Sequence, residues 1–269
     1  MLLLSTPPLD GPSNMAWDAA LLARARATGE VVLRVYTWAE PTLSFGRNQR
    51  ALGVYPAERL SAAGVAVVRR PTGGRAVLHA REVTYSVTAP DGALAPPGAP
   101  VRAAFARINA MLVVALGALG VSARVAAPSA RAPRPDGAPC FETPTGGELV
   151  VAVGGAERKL VGSAQWQEDG ALLQHGSILV DDDQSRVAGL SARQTAPVPE
   201  PATLRALLGR APDPAEVAAA LFAAAPCLAA PSDERAAPSP LDTASRAALA
   251  ADAERRRAGF ADPAWTWRR

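Results

Sequence analysis

Lys159 is the only lysine among the 28 basic side chains of this chain; all the others are arginine. It stands in Arg158-Lys159-Leu160-Val161-Gly162-Ser163-Ala164-Gln165. A guanidinium is a planar fork that stays charged, whereas an ammonium is compact and gives up its proton when its surroundings demand it. A lone lysine therefore marks a candidate for chemistry, or else a survivor of composition bias. A second segment, Arg69-Arg70-Pro71-Thr72-Gly73-Gly74-Arg75-Ala76-Val77-Leu78-His79, joins a Gly-Gly turn to flanking arginines. Glycine lets the backbone turn and approach a ligand closely. Arg70 and Arg75 can then grip a carboxylate or phosphate with paired N–H donors. The same segment read alone is also an ordinary hairpin. A third, Leu173-Gln174-His175-Gly176-Ser177-Ile178-Leu179, holds His175, which with His79 completes the histidines of the chain. Each histidine either lines a site or bonds a strand end. Thr72 and Ser163 read equally well as turn hydroxyls.

These segments need elements to bring them together. Ser13 or Asn14 can cap a helix from Met15 to about Ala27, with Gly29 as its stop. Val31–Tyr36, Thr42–Phe45 and Val65–Arg70 read as strands, with a short helix over Pro56–Ala63. Ala76–Leu78 and Val83–Val87 continue as strands. Phe105, Ile108, Leu112, Leu116 and Leu119 recur at three- and four-residue steps, which predicts a helix over Val101–Leu119 covering one face of a sheet. Residues 126–139 are proline-rich and lead to Cys140. Leu149–Val153, Lys159–Ala164 and Leu172–Val180 read as strands; Gly154-Gly155 turns the first pair, within an Ala152–Arg158 connection that reads as longer than a tight hairpin. Asp213-Pro214-Ala215-Glu216 opens a helix to about Ala224, and another covers Thr243–Ala258.

Composition narrows the class. Apolar residues make up 49% and charged residues 20%, as in a soluble globular protein. The net charge is +3 and the arginines are scattered among 25 acids apart from Arg255-Arg256-Arg257, so no nucleic-acid stripe is evident. The longest apolar stretch, Met111–Val121, is too short to span a bilayer. Two cysteines, Cys140 and Cys227, are too few for a disulfide framework or zinc site. Cys227 reads as an inert buried thiol. No signal peptide is apparent, and a cytoplasmic protein is expected.

The chain resembles the lipoate and octanoate transferases and ligases, which share a fold with biotin-protein ligases. The resemblance is carried by Asn14-Met15-Ala16 with Asp18, Leu43-Ser44-Phe45-Gly46-Arg47-Asn48-Gln49, the Thr72-Gly73-Gly74-Arg75-Ala76-Val77 segment, Lys159-x-x-Gly-Ser-Ala-Gln and Gln174-His175-Gly176-Ser177. It implies an α+β fold with a mixed, mostly antiparallel sheet flanked by helices, over residues 1–195. Residues 196–269 would be a short helical extension packed on it.

Pro139-Cys140-Phe141-Glu142-Thr143-Pro144 looks like the nucleophile loop of one octanoyltransferase branch. The resemblance then implies octanoyl transfer from acyl carrier protein, through a Cys140 thioester, to a lysine of an H protein or a dehydrogenase E2 domain, with no metal or redox cofactor. Cys140 and Lys159 would be catalytic. An ordinary thiol is only about 3% ionised at pH 7, and a neighbouring ammonium would raise that share. Arg70, Thr72, Gly73, Gly74, Arg75, Ala76, Val77, His79, Gly162, Ser163, Ala164, His175 and Gly176 would bind substrate. The alternative is an ATP-dependent lipoate-protein ligase, with Lys159 and the Gly-Gly turn holding an acyl-adenylate and Mg²⁺ required. A non-enzymatic acyl-binding regulator is a third reading.

Overall fold

The structure, a computed structural model, describes residues 1–96, 98–100, 102–127, 147–181, 183–192, 200–229 and 237–269. In chain order come β1 (Leu2–Ser5), α1 (Gly11–Thr28), β2 (Val32–Tyr36), β3 (Thr42–Phe45), α2 (Ala57–Ala62), β4 (Ala66–Arg69), β5 (Val77–His79), β6 (Glu82–Pro90), α3 (Arg102–Ala118) and β7 (Arg124–Val125). After them come β8 (Leu149–Val153), β9 (Ala156–Glu168), β10 (Ala171–Leu179), α4 (Arg186–Leu190), α5 (Leu204–Leu208), α6 (Pro214–Ala224), β11 (Ser239–Pro240), α7 (Thr243–Ala261) and α8 (Pro263–Thr266).

The larger sheet has the order β11-β1-β2-β6-β10-β9-β8-β7; β1 is parallel to β11 and β2, and its other pairings are antiparallel. A smaller sheet, β4-β3-β5, pairs β3 parallel with β4 and antiparallel with β5. This is the mixed, mostly antiparallel α+β arrangement expected. On one face of the larger sheet, Leu33, Val35, Val83 and Val87 pack against Ile108, Met111, Leu112 and Leu116 of α3 and Leu221 of α6. The helix expected to cover a sheet face does so, and each large aliphatic buried there contributes about 1.5–3 kcal/mol. On the other face, Ala16, Ala20 and Leu21 of α1 meet Leu4 and Val32, with Leu249 of α7 closing over them. Among the described residues no helix is long and apolar enough to cross a membrane.

Several local expectations are corrected. Helix α1 is capped by Asp10, whose carboxylate accepts from the Ser13 amide at 2.8 Å, and not by Ser13 or Asn14. Pro12 is tolerated in the first turn because that amide has no intrahelical acceptor. Asn14 is instead buried, donating to the carbonyls of Leu9 and Thr37. The opening apolar residues form β1, paired along β2 from Leu2↔Val32 to Ser5↔Val35. The β8–β9 connection is not long: Gly154 and Gly155, at φ +58° and +81°, make a two-residue turn of the primed kind that suits a twisted hairpin. Cys227 is exposed in a short 3₁₀ turn, not buried.

One glycine is required by packing. Gly176 of β10 lies between Tyr85 of β6 and Ser163 of β9, and a Cβ there would meet the Gly162 carbonyl oxygen, Ser163 Oγ and Tyr85 Cε1, each at 2.7 Å. Overpacking of this kind costs about 1–3 kcal/mol. Gly176→Ala is therefore expected to lower the unfolding free energy by that amount, seen as a lower urea midpoint at unchanged slope; an unchanged midpoint would show that the strands separate freely.

Candidate active site

A cavity of about 320 Å³ opens between the two sheets. The smaller sheet supplies Ser44 of β3, Val77 and His79 of β5 and the Gly73-Gly74-Arg75 turn. The larger sheet supplies Tyr36 of β2, Thr84 of β6, Gly162, Ser163 and Ala164 of β9, and His175, Gly176 and Ser177 of β10. Met15, Trp38, Asn48, Gln49, Arg70 and Glu148 complete the wall. The volume lies in the range of small-molecule pockets, and the apolar and aromatic side chains leave polar groups only at defined points.

Three sequence segments thus converge as expected. Arg70, Gly73, Gly74, Arg75, Val77, His79, Gly162, Ser163, Ala164, His175 and Gly176 all line the cavity. Thr72 stands behind the wall, with Oγ1 2.6 Å from His175 Nε2. Ala76 does not line it: its methyl is fully buried in a core cluster with Leu43, Phe45 and Leu78, because successive residues of an extended chain face opposite ways. Cys140 lies outside the described residues.

Lys159 is brought to the site wall in an unexpected state. Its side chain is fully buried, and Nζ stands 2.5 Å from Oε1 of Glu148. The β8–β9 register slips here: Val150 pairs with Lys159 but Leu149 pairs with Val161, leaving Leu160 as the extra residue of a bulge. A bulge re-aims side chains, and Lys159 and Leu160 are both buried as a result. The lysine reaches the cavity wall through Glu148. Nothing in the sequence motifs pointed to Glu148, although an acid just before a strand that runs back antiparallel to the lysine strand was a usable signal.

Two chains of polar groups, each carboxylate to histidine to hydroxyl, flank the cavity. In the first, Asp18 Oδ2 accepts from His175 Nδ1 at 2.9 Å, and His175 Nε2 meets Thr72 Oγ1. Asp18 also accepts from Arg34 Nη1 at 2.8 Å, Ser86 Oγ at 2.8 Å and Tyr36 Oη at 3.1 Å. Burial works to raise the Asp18 pKa, but the His175 hydrogen bond, the charges of Arg34 and His175 and the Ser86 hydroxyl outweigh it, so the carboxyl stays ionised. That carboxylate fixes the proton of His175 on Nδ1. In the second chain, Glu82 Oε1 faces His79 Nδ1 at 3.2 Å and His79 Nε2 faces Ser44 Oγ at 2.8 Å. Arg70 Nη1 donates to the same Ser44 oxygen at 3.0 Å, and Trp38 stacks on the His79 ring with centroids 4.0 Å apart. Thr84 and Ser177 hold the two Glu82 oxygens at 2.6 and 2.5 Å. Asp18 and Ser44 belong to the quoted motifs and Glu82 does not, and the pairing of all three depends on strand neighbours far apart in the chain.

The Gly73-Gly74 turn is locked against the loop after β3. Gly74 has φ +94°, and a Cβ on Gly46 would overlap the Gly74 carbonyl. Arg70 Nη2 donates to the carbonyls of Gly73 and Arg75 at 2.9 and 2.7 Å, so this arginine shapes the turn as well as lining the cavity.

The lipoyl protein ligase A/B catalytic-domain model matches residues 10–225, which contain every residue of this site. The chain belongs to that family. Among its relatives, the octanoyltransferase LipM of Kyrpidia tusciae is 46% identical over 187 residues, 67% of this chain and 66% of that protein. The octanoyltransferase LipM of Staphylococcus aureus is 39% identical, with the same shares. The matched stretch thus spans just under two thirds of each relative. Of solved family structures, lipoate-protein ligase A bound with ATP superposes with a TM-score of 0.75 at 20% identity, covering 99% of this chain and 98% of that one. A bi-partite lipoate protein ligase from Thermoplasma acidophilum, studied with its E2 lipoyl domain, gives 0.73 at 20% identity, covering 99% and 95%. These likenesses establish the family's ligase fold for this chain.

Burial pushes the His79 pKa down, against the hydrogen bond and charge of Glu82, with the charges of Arg70 and His175 adding to the depression. Between the folded value and about 6.5 the unfolded chain binds more protons at this position. The stability His79 contributes is therefore complete above about pH 6.5 and is lost as pH falls, at up to about 1.4 kcal/mol per pH unit. We expect a lower urea midpoint at about pH 5.5 than at about pH 7.5, and a smaller drop in His79→Gln. Equal drops in both proteins would assign the effect elsewhere.

Proposed function

We propose that the chain moves an octanoyl group from octanoyl acyl carrier protein to a lysine of a lipoyl-accepting protein, an H protein or an E2 domain, through a thioester on Cys140. The observation that carries this reading is the 46% identity to a relative named as an octanoyltransferase. The site supports it. The cavity has apolar walls for an alkyl chain, and Glu148 on its wall follows Cys140 by only eight positions. The reading makes this a cytoplasmic enzyme that needs no metal or redox cofactor.

The Cys140 thiolate attacks the donor carbonyl; the new C–S bond forms, the carrier's C–S bond breaks, and the carrier leaves as a thiol after taking a proton. The acceptor's ε-amine, already deprotonated from the ammonium, then attacks the Cys140 thioester; the C–N bond forms, the nitrogen releases a second proton to solvent, and the Cys140 C–S bond breaks to free the thiolate. Lys159 serves both steps as a buried cation for thiolate and oxyanion, with Glu148 holding it in place. It does not itself carry the acyl group, since an amide on lysine would not turn over. Arg70, the Gly73-Gly74 turn and the Gly162–Ala164 backbone orient the thioester, and His79 and His175 are fixed polar contacts on the wall.

Incubation with octanoyl carrier protein in the absence of ATP should add one octanoyl group to the intact protein. The adduct should be removed by hydroxylamine and be absent in Cys140→Ser. Lys159→Ala should slow its formation by roughly 10²–10³-fold, the loss typical of an electrostatic stabiliser. Activity that depends strictly on ATP and is indifferent to Cys140→Ser would replace this reading with the acyl-adenylate ligase.

A further inference from the structure

Among the described residues, many surface arginines stand beside a carboxylate: Arg26 with Glu168, Arg81 with Asp181, Arg158 with Glu200 and Arg210 with Glu216, for example. Arginines without such a neighbour occur in several places, and three of them gather around the loop from Gly46 to Leu52. Arg47, Arg268 and Arg269 have no carboxylate within ion-pair distance among the described residues. Arg47 lies over the Trp166 ring at 4.1 Å, and Arg268 lies over the Trp265 ring at 4.1 Å. These guanidinium groups crowd one another: burial and then the charges of Arg47 and Arg269 pull the Arg268 pKa down. Beneath them, burial followed by the charges of Arg268, Arg70 and Arg269 brings Arg69 down to about 10. The face therefore gathers several guanidinium groups close together, a concentration of positive charge that an anionic partner would relieve.

Leu52, 61% exposed, is the most exposed large apolar side chain of the described surface, and it sits in this same loop. Arginine, tryptophan and an exposed aliphatic together are the composition of a protein-docking patch. The loop is also held rigidly. Arg69 Nη1 donates to the Gly46 and Gln49 carbonyls at 2.6 and 2.8 Å and Nε to the Thr266 carbonyl at 2.9 Å. The Ala51 and Leu52 amides both donate to the Arg269 carbonyl at 2.8 Å. Through Asn48 and Gln49 the patch is continuous with the cavity wall.

We infer that the face formed by Arg47, Leu52, Arg268 and Arg269 is the docking surface for an acidic carrier protein that brings the acyl thioester to the cavity. The inference rests on the transfer reading for what the carrier delivers. The donor is the partner that must seat its body at the cavity entrance while the acyl chain threads inside. The acceptor meets a cavity already filled and has only to reach the thioester carbonyl.

The double variant Leu52→Glu/Arg269→Glu tests this, since neither side chain enters the cavity wall. With octanoyl carrier protein at low salt, the second-order rate of octanoyl-enzyme formation should fall by about tenfold or more, with the difference shrinking at about 0.5 M salt. With octanoyl-N-acetylcysteamine, an uncharged thioester with no protein carrier, the variant should stay within about twofold of the parent. Transfer from the pre-acylated enzyme to the acceptor should be unchanged. An equal loss with both donors, no loss with the carrier, or a loss confined to the acceptor step would each overturn the docking assignment. A parent enzyme that takes no hydroxylamine-sensitive octanoyl group from either donor would instead remove the transfer reading, and the docking surface with it.

Discussion

The buried carboxylate of Asp18 is the constraint on which the site depends. It sits on α1 with no exposure to solvent and accepts from Arg34 and Tyr36 of β2, Ser86 of β6 and His175 of β10. An ion taken out of water at this depth is costly unless its lone pairs are occupied and a counter-charge stands close. Arg34 meets the same condition: its nitrogens are held by Asp18, Thr6 and both oxygens of Asn14, and its plane lies 3.8 Å from the Tyr36 ring centroid. Because the carboxylate is on the helix and its donors come from three strands, the helix cannot shift along the sheet without leaving a charge unpaired. His175 then extends this fixed point to Thr72, at the edge of the Gly-Gly turn, so its imidazole is one of the ties that register the smaller sheet to the larger one.

Glu82 repeats the device on the opposite side of the cavity, using His79 to hold Ser44. The carboxylates of the two arrays are saturated by fixed donors, which leaves their histidines rigid on the wall. The Lys159–Glu148 pair is of a different kind: a compact ammonium on a bulged strand in contact with a carboxylate, next to the run of chain that leads back to Cys140. Burial of both partners in a low-dielectric wall strengthens their attraction and makes the pair sensitive to any new charge placed beside it.

Much of the fold was legible because its signals are local. The β3 and β8 boundaries and the start and end of α6 follow from β-branched runs, Gly-Gly and Asp-Pro punctuation, and the apolar spacing of α3 put it on a sheet face. Misses came where a tertiary partner overrides a local preference. Asn14 is a good capping residue, but Arg34 and two carbonyls claim its side chain inside the core. The opening leucines carry no period of their own, and only β2 beside them makes a strand. Ala76 lies within the binding motif yet faces the core, since a motif does not state which side of a strand looks inward.

Sequence alone determined the family and the three segments that meet at the cavity, because spacing along a chain preserves turn chemistry and the identity of rare residues, and the mixed sheet followed only as what the family resemblance implies. It also singled out Lys159 on composition alone. Only the tertiary structure decided what Lys159 touches, which carboxylate serves which histidine, and where the arginines are left without acids. Those facts depend on strand order and register, which place Asp18 beside His175 and Glu148 beside Lys159, and no local pattern encodes such neighbours.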